Sequence, residues 1–262
     1  MAIKSTIGAV STSLTVVFLK KDQLNFFSLV LFAFFIMLAN TQTWAITIVT
    51  TDQATVSAFQ VGTSVIGFDD IPPNGGGGSG GNTGVPIQLE SQLTDQFSDL
   101  GVIFSSNGGP VGVASVEGLS NELDAVSPFN LIGGSSLSNA LFVLNYFEPI
   151  TLQFVMQNTT IPAIISSVGA WNDPTGSRIL LSVFDINGDL LESVQADQGF
   201  FIGISNPLIA SATFSYVSTQ SVSGFSLDDV TIGTVSAVSV PATVWLFGSG
   251  LIGLIGFARR ES

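Results

Sequence analysis

The 262 residues contain no cysteine and no histidine. Thiol nucleophiles, disulfides, zinc held by its usual ligands and Ser-His-Asp hydrolysis each lack an essential part. Oxygen chemistry remains, and an exported chain without disulfides must rely on its core or on bound ions for stability. Bases are almost as scarce, with six Lys and Arg against 19 Asp and Glu. Between residues 46 and 238 Arg178 is the sole base facing 17 acids, a formal net charge of −16. Such a surface repels phosphate and anionic lipid, which excludes a nucleic-acid partner. Only 10% of the chain is charged and 46% is hydrophobic, enough apolar material for one domain with a sizeable core and too much for a disordered chain.

Charge is absent altogether from two stretches near the ends. Residues 240–258 carry none, and at 1.5 Å rise per residue about 19 residues nearly cross a hydrocarbon core of roughly 30 Å, so a transmembrane helix is expected there. Glycines at 248, 250, 253 and 256 would each cost about 1 kcal/mol in a soluble helix and are better tolerated in a membrane. The basic stop Arg259-Arg260 places the extreme C-terminus in the cytoplasm. At the other end Lys20-Lys21 precedes the apolar run 26–38, and Thr43-Trp44-Ala45 offers a small-x-small cleavage site. Residues 1–45 thus read as a signal peptide for Sec export, cut after Ala45, with a long n-region or a start codon assigned too early. The alternative is an uncleaved signal anchor.

The C-terminal segment, Ser239-Val240-Pro241 followed by the apolar helix and Arg259-Arg260, resembles the PEP-CTERM sorting signal of exported proteins from Gram-negative bacteria. The resemblance covers about 25 residues (238–262) and keeps only the last proline of the motif. It implies recognition and cutting near Pro241 by an exosortase, a membrane cysteine transpeptidase often found in bacteria that make exopolysaccharide. The protein would be membrane-anchored in transit, then delivered to the cell surface or the extracellular matrix. An ordinary C-terminal anchor is the plainer alternative.

Between the two ends, residues 46–237 read as one exported domain of short β-branched strands separated by turn residues. About ten strands spaced 8 to 15 residues apart predict an all-β antiparallel sandwich, jelly-roll-like. Asn187-Gly188 is the strongest hairpin signal. Residues 74–84, rich in glycine, lack the lysine of a phosphate loop and read as a surface insertion. Residues 120–138 read as a long loop, and no segment between the signal peptide and the tail shows helical periodicity.

Two acidic pairs stand near the limits of this domain, Asp69-Asp70 after the first core strand and Asp228-Asp229 inside the last. The stretch Phe225-Ser226-Leu227-Asp228-Asp229-Val230 resembles the closing strand of galactose-binding-like and carbohydrate-binding jelly rolls, where first and last strands lie side by side. That resemblance implies a structural calcium ion. Adjacent acids in a fold without lysine would repel unless solvated or neutralised by a hard cation. The alternative sends one Asp of each pair to solvent and the other to a capping hydrogen bond. Asp185-Ile186-Asn187-Gly188-Asp189 opens like a calcium loop but has Gln195 where the closing glutamate belongs, so a hairpin turn fits better.

Trp171-Asn172-Asp173 follows a strand, and a tryptophan at a sandwich rim can stack on a sugar ring; the alternative is a core tryptophan at the strand end. No pair of carboxylates stands out as acid and base, so no catalytic residue is expected and glycoside hydrolysis is the weakest reading. Two classes of function remain: a structural or adhesive module of an exopolysaccharide matrix, and a module that binds an extracellular glycan.

Overall fold

The computed structural model describes residues 45–72, 86–107, 109–115, 130–138, 141–174, 176–217 and 224–238. The expected transmembrane helix, the sorting residues Ser239, Val240, Pro241, Arg259 and Arg260, the glycine-rich insertion and the signal peptide up to Trp44 lie outside them. Among the described residues no helix is long and apolar enough to cross a membrane.

The described chain is a sandwich of two antiparallel sheets. The smaller has five strands. In spatial order they are β12 (Leu190–Ala196), β11 (Ile179–Phe184), β14 (Ser211–Tyr216), β9 (Ile150–Phe154) and β4 (Val102–Ser105). The larger runs through β1 (Ile46–Thr50), β13 (Phe201–Ile209), β10 (Ala163–Asn172), β15 (Leu227–Ile232), β6 (Asn130–Gly133), β5 (Val111–Ser115) and β3 (Gln92–Leu93). β16 (Val235–Ala237) adds to β10, and β2 (Ser64–Ile66) adds to β15. A separate hairpin joins β7 (Ser135–Ser138) to β8 (Leu141–Leu144).

Period-2 alternation makes the interior. In β11 the residues alternate strictly between buried and half-buried, and Ile179, Leu181 and Val183 enter the core. They meet Val168, Ala170, Ile202, Ile204, Val230 and Ile232 of the larger sheet in one apolar cluster. At one end Phe68, Phe97 and Phe104 pack edge to face, with centroids 5.9 to 6.1 Å apart.

β10 and β13, in the larger sheet, are buried on both faces because helix α1 (Gln53–Phe59) covers the outer one. Gly169 and Gly203 are register partners there, and a Cβ on either would come within 2.6 to 2.8 Å of the rings of Phe201 or Phe59. Their missing side chains make room for the aromatic layer under the helix.

Asp52 caps α1: its carboxylate accepts the Thr55 hydroxyl at 2.6 Å and the Thr55 amide at 3.1 Å. The Thr55 hydroxyl first and its amide second hold the Asp52 pKa below the ordinary 3.8. A depressed folded-state pKa means the cap stabilises above the ordinary value, and the contribution is lost as pH falls through the lower folded one. Hydrogen exchange at pH 6 should therefore be faster across α1 in Asp52→Ala than in the wild type, the gap narrowing below pH 3.8. An equal gap at both pH values would contradict the charged cap.

Candidate functional site

The jelly-roll resemblance implies that the first core strand lies beside the last, and they are neighbours: Val230 of β15 faces Ile66 of β2. β2 and β6 use the same edge of β15 in tandem, because Leu227 faces Ile132. The hand-over falls at Asp228 and Asp229. Between the pairs Gly169 to Thr231 and Trp171 to Asp228, β15 contains one extra residue, a β-bulge. Asp229 sits in it with φ +46°, a left-handed conformation that aspartate tolerates better than most residues. The Asp229 carboxylate lies against the α-carbon side of Gly67, 3.7 Å from where a Cβ would stand.

The four aspartates of the calcium expectation stand at this junction in different surroundings. Asp69 and Asp70 are exposed, and Asp69 Oδ1 accepts the backbone N–H of Asn130 at 3.1 Å. Asp228 is 1% exposed and its Oδ1 accepts the Asp229 amide at 2.8 Å. Among the described residues no three Asp, Glu, His or Cys side chains are grouped to hold a metal ion. The junction is instead tied by Asn130, 3% exposed, whose side-chain amide donates to the carbonyls of Phe68 and Ile71, both at 3.0 Å. Neither acidic motif points to this asparagine, and its turn-forming neighbours Ser127, Pro128 and Gly133 make the stretch look like loop.

The carbohydrate-contact expectation at Trp171, Asn172 and Asp173 is corrected by burial. Trp171 is 6% exposed, Asn172 0% and Asp173 1%. The indole packs edge to face on Phe201 at 5.6 Å in a cluster with Val56, Phe59 and Ile48. It is the core tryptophan of the alternative reading, roofed by α1, and no sugar reaches it without opening the domain. Asn172 donates to the carbonyls of Ser177 and Asp197, and Asp173 accepts the Ser226 hydroxyl at 2.7 Å. These residues fasten the end of β10 to its neighbours.

Asp185–Asp189 forms the hairpin turn between β11 and β12. The Asp185 carboxylate accepts the amides of Asn187 at 2.8 Å and Asp189 at 2.9 Å and the Asn187 side chain at 3.0 Å, and Gly188 takes φ +84°. The Asp189 amide, followed by the Asn187 side chain, holds the Asp185 carboxyl below the usual carboxylate range. Its oxygens serve the turn rather than a metal.

Next to this turn lies a groove of about 410 Å³ whose walls include Ile103, Gln153, Pro162, Asp185, Ile186 and Ser211. A second, of about 420 Å³, shares Ile103 and Thr160 with it and continues past Asp95 and Asn158. Both border the outer face of the five-stranded sheet. That face is the accessible polar surface the structure adds to the sequence reading, and its registers are known strand by strand.

No protein-family model matches the chain, and no curated protein matches it. Among solved structures the chain is similar to the enzymatically active domain of tailspike protein 4 of bacteriophage CBA120, at 13% identity and a TM-score of 0.22. The match covers 57% of this chain and 21% of that one, a likeness too slight to carry fold or activity across.

Proposed function

We propose that residues 46–237 form an exported, non-enzymatic, jelly-roll-like module that acts structurally or adhesively at the cell surface or in an exopolysaccharide matrix. Sec export delivers it, the C-terminal helix holds it in the inner membrane, and an exosortase releases or transfers it. The observation that carries this reading is where the strands start and stop. β1 opens at Ile46, the residue after the expected cleavage at Ala45, and β16 closes at Ala237, two residues before Ser239. The folded strands thus fill the interval between the two targeting segments, and each outer strand is hydrogen-bonded into the larger sheet, β1 on β13 and β16 on β10. Cutting at either place would remove none of the described strands.

Mass spectrometry of the protein recovered from envelope and medium tests the reading. The expected mature form begins at Ile46 and lacks the residues after the cut near Pro241. Recovery of Trp245 to Ser262 on the mature protein would leave a plain membrane anchor in place of sorting.

A further inference from the structure

We infer that the outer face of the five-stranded sheet is a docking surface for a neutral, extended polysaccharide chain. The inference concerns this face wherever the protein resides and does not rest on the sorting reading. It comes from a row that the strand registers assemble. Ser193 of β12 faces Ser182 of β11, Ser182 faces Thr213 of β14, Thr213 faces Thr151 of β9, and Thr151 faces Ser105 of β4. One hydroxyl from each strand lies on a single line across the whole sheet. All five are exposed or half-buried, at positions that alternate with core residues. Strands stand about 4.7–4.9 Å apart, so the row repeats at nearly the advance of one sugar along an extended glycan.

None of these five side chains makes a hydrogen bond within the described chain. Three buried serines behave otherwise: Ser106, Ser135 and Ser226 give their hydroxyls to a carbonyl or carboxylate at 2.6 to 2.7 Å, although the buried Ser91 hydroxyl has no partner among the described residues. The row therefore keeps both donor and acceptor capacity for an outside partner, and Thr151 and Thr213 in its middle are stiff at χ1.

Charge and apolar flanks select the partner. The outward positions of the five strands carry no ionisable side chain, although the domain around them is strongly acidic. Asp95, Asp185 and Asp189 border the face and would repel a polyanion, and the one base at its margin, Arg178 just ahead of β11, is already ion-paired with Asp197 at 2.7 Å. On one side of the hydroxyl row the next register line brings Leu190, Phe184, Ser211, Gln153 and Ile103 together; on the other stands Leu180. A sugar ring has the same division, with hydroxyls at its rim and C–H bonds on its faces. Phe184, Leu180 and Ile103 suit the faces, and the row suits the rim. The groove beside Gln153 and Ser211 gives the otherwise flat surface a concave margin.

The test is co-sedimentation of the full chain, in mild detergent, with microcrystalline cellulose, with curdlan and with calcium-crosslinked alginate beads. The protein should be retained on at least one neutral glucan and not on alginate. The double substitution Thr151→Val, Thr213→Val keeps shape and strand preference while removing two central hydroxyls, and it should weaken retention at least tenfold with an unchanged melting temperature. Thr213→Glu, placing a charge in mid-row, should do the same. Failure of the wild type to bind either neutral glucan, equal retention on alginate, or retention unchanged in the folded variants would each overturn the inference.

Discussion

Trp171→Ala is expected to lower the unfolding free energy by about 3–5 kcal/mol, the range for deleting a large buried aromatic side chain. The indole is 6% exposed and is held between Phe201 and the underside of α1. Removing it undermines two contacts at once, because Phe59 packs on Phe201 at 5.5 Å and would lose the partner that fixes that ring. At about 2–4 °C per kcal/mol for a domain of this size, the melting temperature should fall by roughly 6–20 °C. Trp171→Phe refills part of the space and should lose less than half as much. Urea titration followed by circular dichroism reads both variants. An alanine variant as stable as the wild type would show that Trp171 is not a core residue and would return it to the surface, where sequence reasoning also allowed it to stand.

That residue marks the limit of what the sequence discloses. The strand leading to Trp171 is legible from its β-branched residues, but the cover is not: α1 has seven residues, too few for a helical period to stand out from the surrounding polar sequence. The β11–β12 hairpin is legible because Asn187-Gly188 fixes the turn locally. By contrast residues 201–204 and 208–216 read as two strands with a break at Asn206-Pro207, whereas β13 runs on to Ile209. It continues because its register with β10 shifts at that point, so Pro207 sits in an irregularity where no ladder N–H is needed. Residues 130–138 read as loop since serine and glycine dominate them, yet β6 is buried at all four positions, which erases the alternation that identifies a strand. The hydroxyl row is the extreme case. Each strand shows its own serine or threonine, and only the five registers together set them in line.

The acidic pairs teach a related lesson about charge. Without lysine nearby, clustered carboxylates call for neutralisation, and the sequence offers a cation as the obvious means. The fold reduces the need by solvent and by backbone donors. Asp69 and Asp70 stay in water while Asp69 takes the Asn130 amide, Asp228 takes the Asp229 amide, and a bulge places Asp229 in a conformation of its own. The adjacency of β2 and β15 is what the jelly-roll resemblance of residues 225–230 implies. The local geometry around them depends on β6 arriving at the same edge, where Asn130 donates its backbone N–H to Asp69, and nothing in either acidic motif reports it.

The junction that results should be a second sensitive point of the domain. Asn130→Ala removes a buried amide that serves the carbonyls of Phe68 and Ile71, and leaving these two acceptors, one buried and one half-buried, short costs about 1–3 kcal/mol each, or roughly 2–6 together. Asn130→Asp is nearly the same size but replaces the donor with a carboxylate facing those two carbonyls, with Asp69 already at the backbone N–H of the same residue. At pH 7 it should therefore be the more damaging of the two. The sign with pH follows from burial beside acceptors, which raises the pKa of the introduced acid in the folded state. Its ionised form opposes folding, so the excess penalty grows as pH rises above the unfolded value near 4 and shrinks below it. Denaturation of both variants at pH 7 and pH 4 isolates this effect, since the domain's other acids titrate alike in each. The aspartate variant should approach the alanine variant, or pass it in stability, at the lower pH. A constant difference between them at the two pH values would mean that position 130 is solvated and that β2 and β6 are not joined through it.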